Sequence, residues 1–243
     1  MTFTIRSMWR RPRLNTRAMM ALVVLVAMPL GWLVNGAREQ REAVAAIGQA
    51  GGGITYDWQA ASRVFEPVSP RGPRWVRNVL GPDYFDDVVH VSFQPSRIDD
   101  VGFAKLSSHL RRLPRLASIY LDWSKITGAS FAHLGDLHSL EDLWICGIAA
   151  RDADFEQLAR CQSLKALRLL GCPIGDGAVR HLARMPNLEI LSLRKTNVTD
   201  ACLDDLAGLR KLKFLFIGQT SITPEGIAFL KARLPGVEIN TED

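Results

Sequence analysis

The sequence predicts an α/β solenoid, a stack of coils that each contain one short strand and one helix. The apolar pattern L-x-x-L-x-L returns five times at intervals of 24 residues, without insertion, from Leu116 onward. Apolar residues spaced by three follow each strand, and this spacing is typical of one face of a helix. The strand residues are Leu116/Ile119/Leu121, Leu140/Leu143/Ile145, Leu164/Leu167/Leu169, Leu188/Leu191/Leu193 and Leu212/Leu215/Ile217.

Two further apolar columns predict the helices, with positions counted from the first leucine of each coil. A longer first coil begins at Val88 and shares both columns. Position 16 contains Phe103, Phe131, Phe155, Val179, Leu203 and Ile227. Position 19 contains Leu106, Leu134, Leu158, Leu182, Leu206 and Leu230. Because one coil cannot bury this face alone, we expect about six coils to stack, followed by a carboxy-terminal cap with a short strand at Val237–Ile239.

Asp or Thr recurs at positions 12 and 13 of most coils, at the predicted start of the helix. Side-chain oxygens at that point accept hydrogen bonds from unpaired backbone N–H groups. We therefore interpret these residues as helix caps rather than as acid/base pairs, because they recur with the helices.

The stretch ILSLRKTNVTDACLDDLAGLRKL, residues 190–212, resembles the bacterial leucine-rich-repeat class whose 24-residue repeat contains T-x-I-T-D. The resemblance covers about residues 88–240. It implies a leucine-rich-repeat solenoid, a right-handed β-α superhelix with a parallel sheet on its concave face. It also implies that a protein or another ligand binds to that face, and that the chain is not an enzyme.

The amino terminus predicts a membrane anchor. Residues 18–37 contain no charged side chain, and as a helix they reach about 30 Å, which is enough to cross a hydrocarbon core. Five arginines in the tail at 1–17 place the amino terminus in the cytoplasm, so we expect residues 38–243 on the extracytoplasmic side, periplasmic or at the cell surface. A cleaved signal peptide is the alternative. The basic tail, single span and Gly-rich hinge also resemble membrane-anchored bacterial members of the class.

Residues 38–87 predict a juxtamembrane helix, a hinge at Gly51–Gly53 and an amino-terminal cap. The first coil of a solenoid has one face without a neighbour, and a cap must cover it. We assign that role to the apolar residues of this stretch, although they could instead form a separate ligand site. They are Trp58, Phe65, Trp75, Val76, Leu80, Tyr84 and Phe85. The repeat domain then occupies residues 88–243.

Charge and cysteine content exclude several classes of function. The net charge of +5 comes from the five arginines within residues 1–37, and the remainder has 25 cations and 25 acids. A neutral repeat domain gives no reason to expect nucleic acid. The four cysteines form no C-x-x-C pair, so we predict no metal site and no cofactor. A disulfide between Cys146 and Cys172 on neighbouring coils stays open as an alternative.

The candidate binding residues lie on the predicted concave face, because side chains alternate along a strand. Acids are predicted toward the amino-terminal coils and cations toward the carboxy-terminal ones, with aromatics among them. Exposed aromatics with arginine are the composition of a binding hot spot. The candidates are Tyr120, Asp122, Trp123, Asp142, Trp144, Arg168, Arg194 and Phe216. The alternative is that Tyr120 and Trp144 pack on each other across neighbouring strands.

These observations predict a membrane-anchored leucine-rich-repeat scaffold that binds a protein or peptide partner on its concave face. An enzyme is disfavoured, because the five histidines are scattered and the sequence contains no H-E-x-x-H, G-x-S-x-G or phosphate-binding glycine motif. A secreted or intracellular leucine-rich-repeat effector or adaptor is the remaining alternative.

Overall fold

The computed structural model of the chain describes residues 16–61, 69–95 and 97–242. The strands are β1 (Gly52–Tyr56), β2 (Val88–Phe93), β3 (Ser118–Asp122), β4 (Asp142–Cys146), β5 (Ala166–Leu170), β6 (Ile190–Ser192), β7 (Phe214–Phe216) and β8 (Glu238–Asn240). The helices are α1 (Thr16–Gln49), α2 (Asp57–Ala61), α3 (Arg74–Leu80), α4 (Asp100–Leu110), α5 (Phe131–Gly135), α6 (Phe155–Leu158), α7 (Asp176–Leu182), α8 (Leu203–Ala207) and α9 (Pro224–Arg233).

The strands form one sheet in chain order, from β1 to β8. From β2 onward each strand pairs in parallel with the next. The register follows the repeat, since Tyr120 pairs with Trp144 and Trp144 with Arg168, each 24 residues further along. The α/β solenoid that the leucine pattern predicts is therefore confirmed.

The core lies between the sheet and the helices. The strand leucines and isoleucines of the repeat are buried on the inner face, as Leu143 and Leu167 show with no exposed surface. On the helix side, Phe131 and Phe155 are equally buried and their rings meet edge to face, with centroids 5.0 Å apart. Stacked coils thus bury side chains that no single coil could cover.

The five coils from β3 to β7 each leave the strand through a residue in the left-handed backbone region. At position 8 of the coils from β3 to β7, φ lies between 47° and 64°. The residues are Trp123, Gly147, Gly171, Lys195 and Gln219. Three of the five are not glycine, although side chains disfavour this conformation. The turn is therefore imposed by the repeat geometry and not by local sequence preference.

The predicted helix caps are confirmed at position 12 in several coils. There a side-chain oxygen accepts a backbone N–H of the following turn, in Asp99, Thr127, Thr199 and Thr223. The same interpretation is wrong for the aspartates at position 13, which bond to the next coil instead. Asp200, for example, accepts the backbone N–H of Thr223 at 2.9 Å and its hydroxyl at 2.7 Å.

This aspartate ladder links successive coils. Asp176 accepts the N–H and the hydroxyl of Thr199 at 2.7 and 2.8 Å. Asp100 accepts the N–H and hydroxyl of Thr127 and the hydroxyl of Ser130 at 2.6 to 2.9 Å. Burial raises the pKa of Asp100, but the hydrogen bonds from Ser130 and Thr127 outweigh it and leave the pKa below its ordinary value.

The amino-terminal cap is formed chiefly by the carboxy-terminal half of α1. This helix is continuous over 34 residues, and one face of it is buried against the first coil. The buried residues of that face are Ala37, Gln40, Ala43 and Ile47. Within α1, the side chains from Val23 to Gly36 are exposed, and the predicted anchor at 18–37 lies in this helix. Among the described residues, none of the helices combines the length and apolar content needed to cross a membrane.

The expected hinge at Gly51–Gly53 is wrong. Gly51 turns the chain with φ of 75°, and Gly52 already belongs to β1, which pairs antiparallel with β2. A β-carbon on Gly52 would stand 2.7 Å from Ile47 and 3.0 Å from Phe93, so this turn is tightly packed. The solenoid is therefore joined closely to α1.

The expected aromatic cap is seen only in part, because Trp58, Val76, Tyr84 and Phe85 are half-buried. Trp75 and Leu80 on α3 are exposed, and that helix buries none of its residues. Phe65 lies outside the described residues. The carboxy-terminal cap is as predicted: β8 adds a short parallel strand beside β7. The four cysteines are free and buried, so the Cys146–Cys172 disulfide is not formed.

Candidate functional site

The candidate residues lie on the face of the sheet that points away from the core, here named the open face. It is defined by His90, Ser118, Tyr120, Asp122, Asp142, Trp144, Cys146, Arg168, Leu170, Arg194, Phe214 and Phe216. The alternation of side chains along each strand places them there, because their neighbours in sequence are buried on the inner face. Most are half-buried, whereas Cys146 is buried and Phe214 is exposed.

Tyr120 is the centre of an aromatic row across three strands. Its ring meets His90 at a centroid distance of 4.1 Å and Trp144 at 5.6 Å, both edge to face. The predicted alternative, in which Tyr120 and Trp144 pack on each other, is thus confirmed as a contact. Burial raises the pKa of the Tyr120 hydroxyl and lowers that of His90, so both rings are neutral near pH 7.

Arg168 completes the row on the next strand. Its guanidinium lies over the Trp144 ring, 5.3 Å from the centroid, and donates a hydrogen bond to the carboxylate of Asp142. Burial raises the pKa of Asp142 while Arg168 opposes that shift. The predicted acidic and basic halves of the face therefore meet in one ion pair rather than standing apart.

Asp122 differs from Asp142 because it has no such partner. Its Oδ1 atom is buried and accepts no hydrogen bond from the described residues. Burial raises the pKa of Asp122. Burial also raises the pKa of the Cys146 thiol, and the negative charge of nearby Asp122 adds to that shift. An unpaired carboxylate beside aromatic rings is an acceptor for a cationic or hydrogen-bond-donating ligand group.

Trp123 follows Asp122 at the exit of the strand and is 60% exposed. Its left-handed backbone, with φ of 47°, brings the indole over Gly147 of the next coil. A β-carbon at Gly147 would stand 2.4 Å from the ring, so only glycine leaves room for it. The indole thus extends the open face at its edge.

Arg194 and Phe216 form a second pair at the carboxy-terminal end. The guanidinium lies 5.6 Å from the Phe216 centroid and donates hydrogen bonds to the side chain of Asn240, at 3.3 Å, and to the Glu242 carbonyl. Arg194 therefore helps to hold the segment from Asn240 to Glu242. The sequence did not predict this role for Arg194. The structure groups Tyr120, Asp142, Trp144 and Arg168 together and places this pair apart from them.

A cleft of about 590 Å³ lies at the amino-terminal end of the open face. His90 and Tyr120 form one side of it, and Thr55, Asp57 and Ala60 from the cap form the other. The sequence prediction did not select His90 as a binding residue. The register could have done so, because His90 pairs with Ser118 and is a diagonal neighbour of Tyr120. Nothing in the sequence indicated the residues from the cap.

Comparisons with known proteins give similarity in fold only. No family model matches the sequence. No curated protein matches it either. Among solved structures, a leucine-rich-repeat protein of Leptospira interrogans is similar over 54% of this chain and 38% of its own, with 14% identity and a TM-score of 0.42. Internalin C2 of Listeria monocytogenes is similar over 60% of this chain and 66% of its own, with 23% identity and a TM-score of 0.43. The chain thus spans less than two thirds of either protein.

Proposed function

We propose that this chain is a membrane-anchored leucine-rich-repeat scaffold, of the bacterial T-x-I-T-D type, that binds a protein or peptide on the open face of its sheet. The observation that carries the proposal is the row of half-exposed side chains Tyr120, Trp144 and Arg168 at equivalent positions of three adjacent strands. Aromatic residues and arginine supply most of the binding energy at protein interfaces.

The contacts within the row favour binding, because they hold the side chains in place before a partner arrives. Tyr120 is held between two rings, and Arg168 is held by Asp142 and Trp144. Ordering a flexible side chain costs about 0.5–1.5 kcal/mol on association. A prearranged row avoids much of that cost, so a modest contact area can give useful affinity.

The charges indicate what the partner presents. Asp142 is neutralised by Arg168, whereas the Oδ1 atom of Asp122 has no hydrogen-bond partner among the described residues. Asp122 shares one face of β3 with Tyr120, and it directly precedes Trp123, whose indole is exposed. We expect a lysine or arginine side chain of the partner to bind here, between a carboxylate and aromatic rings.

Photo-crosslinking tests the binding surface. A benzophenone amino acid replaces Trp123 in the full chain, and in a control variant it replaces Val101, which is 63% exposed on α4. Crosslinking to one polypeptide from position 123 and not from position 101 supports the proposal. Equal crosslinking from both positions, or from position 101 alone, contradicts it.

The anchor is a separate part of the proposal. It is supported by the uncharged stretch at 18–37, by the arginines before it, and by exposed apolar side chains of α1 such as Leu25, Trp32 and Leu33. The arginines support an amino terminus in the cytoplasm and a solenoid on the opposite side of the membrane.

Fractionation tests the anchor. We expect the full chain to stay with membranes after alkaline extraction, and its solenoid to be digested by protease added to the extracytoplasmic side. A chain recovered in the soluble fraction would contradict the anchor and support an effector or adaptor, or a secreted product of signal cleavage.

A further inference from the structure

Helix α3 is unusual because three of its four apolar side chains are exposed. Trp75 is 73% exposed, Val79 78% and Leu80 40%, and none of its residues is buried. Outside α1, the described residues include six exposed large apolar side chains, and three of them lie on this seven-residue helix. Isolated exposed apolar residues are common in soluble proteins, whereas a cluster indicates a surface that something covers.

The carboxy-terminal end of α3 is fixed against α1. Arg41 donates a hydrogen bond from Nη2 to the carbonyl of Leu80 at 2.6 Å and forms an ion pair with Asp83 at 3.5 Å. Gln40 donates to the Asp86 carbonyl at 2.7 Å. Helix α3 therefore ends beside the turn of α1 that contains residues 40 and 41.

This turn is close to the apolar part of α1. The proposed anchor ends at Ala37, which precedes Arg41 by four residues, or about 6 Å along a helix axis. No linker lies between them, because α1 is continuous over both residues. A polar interface of about 5–8 Å borders the hydrocarbon core of a bilayer on each side. With the apolar segment in the membrane, the end of α3 lies at that interface.

We propose that α3 is a lipid-contacting helix, whose Trp75, Val79 and Leu80 insert into the headgroup region of the bilayer that anchors α1. The inference rests on the anchor proposed above. Tryptophan is enriched at membrane interfaces, and apolar side chains beside cations are typical of helices that lie in the interface. Arg74, in the first turn of α3, is exposed and suits anionic headgroups. The solenoid is thereby held against the membrane in one orientation instead of swinging on a stalk.

A matched pair of labelled variants tests the contact with lipid. Val79→Cys reports on α3, and Val101→Cys reports on an exposed valine of α4 in the first coil. Two contacts place that control away from the membrane. Arg112, just after α4, reaches Glu42 at 4.0 Å, whereas Arg97, just before α4, packs on Gly51. Helix α4 thus begins beside the end of α1 that is remote from Val34.

A polarity-sensitive fluorophore labels each new thiol selectively, because the native cysteines are buried. The labelled full chain is reconstituted into vesicles of phosphatidylcholine with a minority of phosphatidylglycerol, and vesicle flotation verifies its incorporation. Lipids brominated near the headgroup end of the acyl chain then quench the label. We expect about threefold stronger quenching at position 79 than at position 101, with a blue-shifted emission, because an interfacial helix lies about 5–10 Å into the headgroup boundary.

The possible outcomes separate this inference from the anchor. Chains that float with the vesicles but show equal quenching at both positions overturn the lipid contact and leave the anchor in place. Chains that do not float overturn both. A blue shift at position 79 that depends on protein concentration and resists brominated lipid identifies a second copy as the cover of α3, and overturns the lipid contact.

Discussion

Replacing Asp176 by alanine removes one link of the aspartate ladder between two coils. Its carboxylate accepts two hydrogen bonds from Thr199, one from the backbone N–H at 2.7 Å and one from the hydroxyl at 2.8 Å. A hydrogen bond to a charged group contributes about 1.5–3 kcal/mol. Because the carboxylate is only half-buried, we take the lower end for each bond and expect a loss of about 3 kcal/mol in the free energy of unfolding.

Urea denaturation of the full chain in detergent micelles, followed by circular dichroism, measures this loss. Asp204→Ala is the matched control, because Asp204 is an exposed aspartate in the first turn of α8. Its removal costs only a helix-dipole interaction of about 0.3–1 kcal/mol. Thr199→Val removes the hydroxyl bond to Asp176 and also the cap on the Ala201 N–H, so a double-mutant cycle with Asp176→Ala is needed to isolate the coupling. Equal losses for Asp176→Ala and Asp204→Ala would refute the ladder as a source of stability.

Three further predictions follow from local geometry. Gly147→Ala destabilises the fold more than Gly171→Ala and alters tryptophan fluorescence. Both positions have left-handed backbone, but only at Gly147 does the new methyl group meet Trp123. Equal losses in the free energy of unfolding, measured by urea denaturation, contradict this. Asp100→Asn lowers the free energy of unfolding, and denaturation at a series of pH values measures the difference from wild type. The difference is largest above the ordinary pKa of 3.8 and shrinks as the pH falls through the lowered folded-state pKa of Asp100. A difference that is constant with pH contradicts the lowered pKa. All four thiols react with Ellman's reagent only after unfolding, since they are buried and burial raises the pKa of Cys202 to about 12; rapid reaction of the native chain contradicts this.

The strands and their register were predictable because the repeat states them directly. Every 24-residue interval places a leucine or isoleucine on the inner face, and the burial of Leu143 and Leu167 follows from that pattern alone. The contact between Tyr120 and Trp144 was also accessible, since equivalent positions of neighbouring coils stand side by side.

The left-handed residue at position 8 was not predictable from its type. Trp123, Lys195 and Gln219 adopt it although glycine is the usual choice. The stacked coils impose it, because the N–H of this residue bonds to the preceding position of the next coil, as Trp123 does with the Cys146 carbonyl at 2.9 Å. Such a constraint exists only after the coils have assembled.

The structure of the amino-terminal cap was not predictable for a related reason. Glycines at 51–53 predict flexibility when they are read alone, but Gly52 is small because Ile47 and Phe93 pack against it. Apolar character alone predicts that Trp75 and Leu80 of α3 belong to the cap, whereas the structure leaves both on the surface. Local sequence cannot distinguish a residue that covers the solenoid from one that awaits another surface.

The most direct test of the central claim is the affinity of the crosslinked partner for two matched double variants. Trp144→Ala with Arg168→Ala removes an arginine stacked on an aromatic ring of the open face, and Phe229→Ala with Arg233→Ala removes a similar pair from α9, where the ring centroid is 5.2 Å from the guanidinium. The account predicts that the first variant raises the Kd about 100-fold, which corresponds to about 2.8 kcal/mol. It predicts a Kd within about twofold of wild type for the second variant. Binding unchanged by the first variant, in a chain that circular dichroism shows to be folded, would contradict the open face as the binding surface.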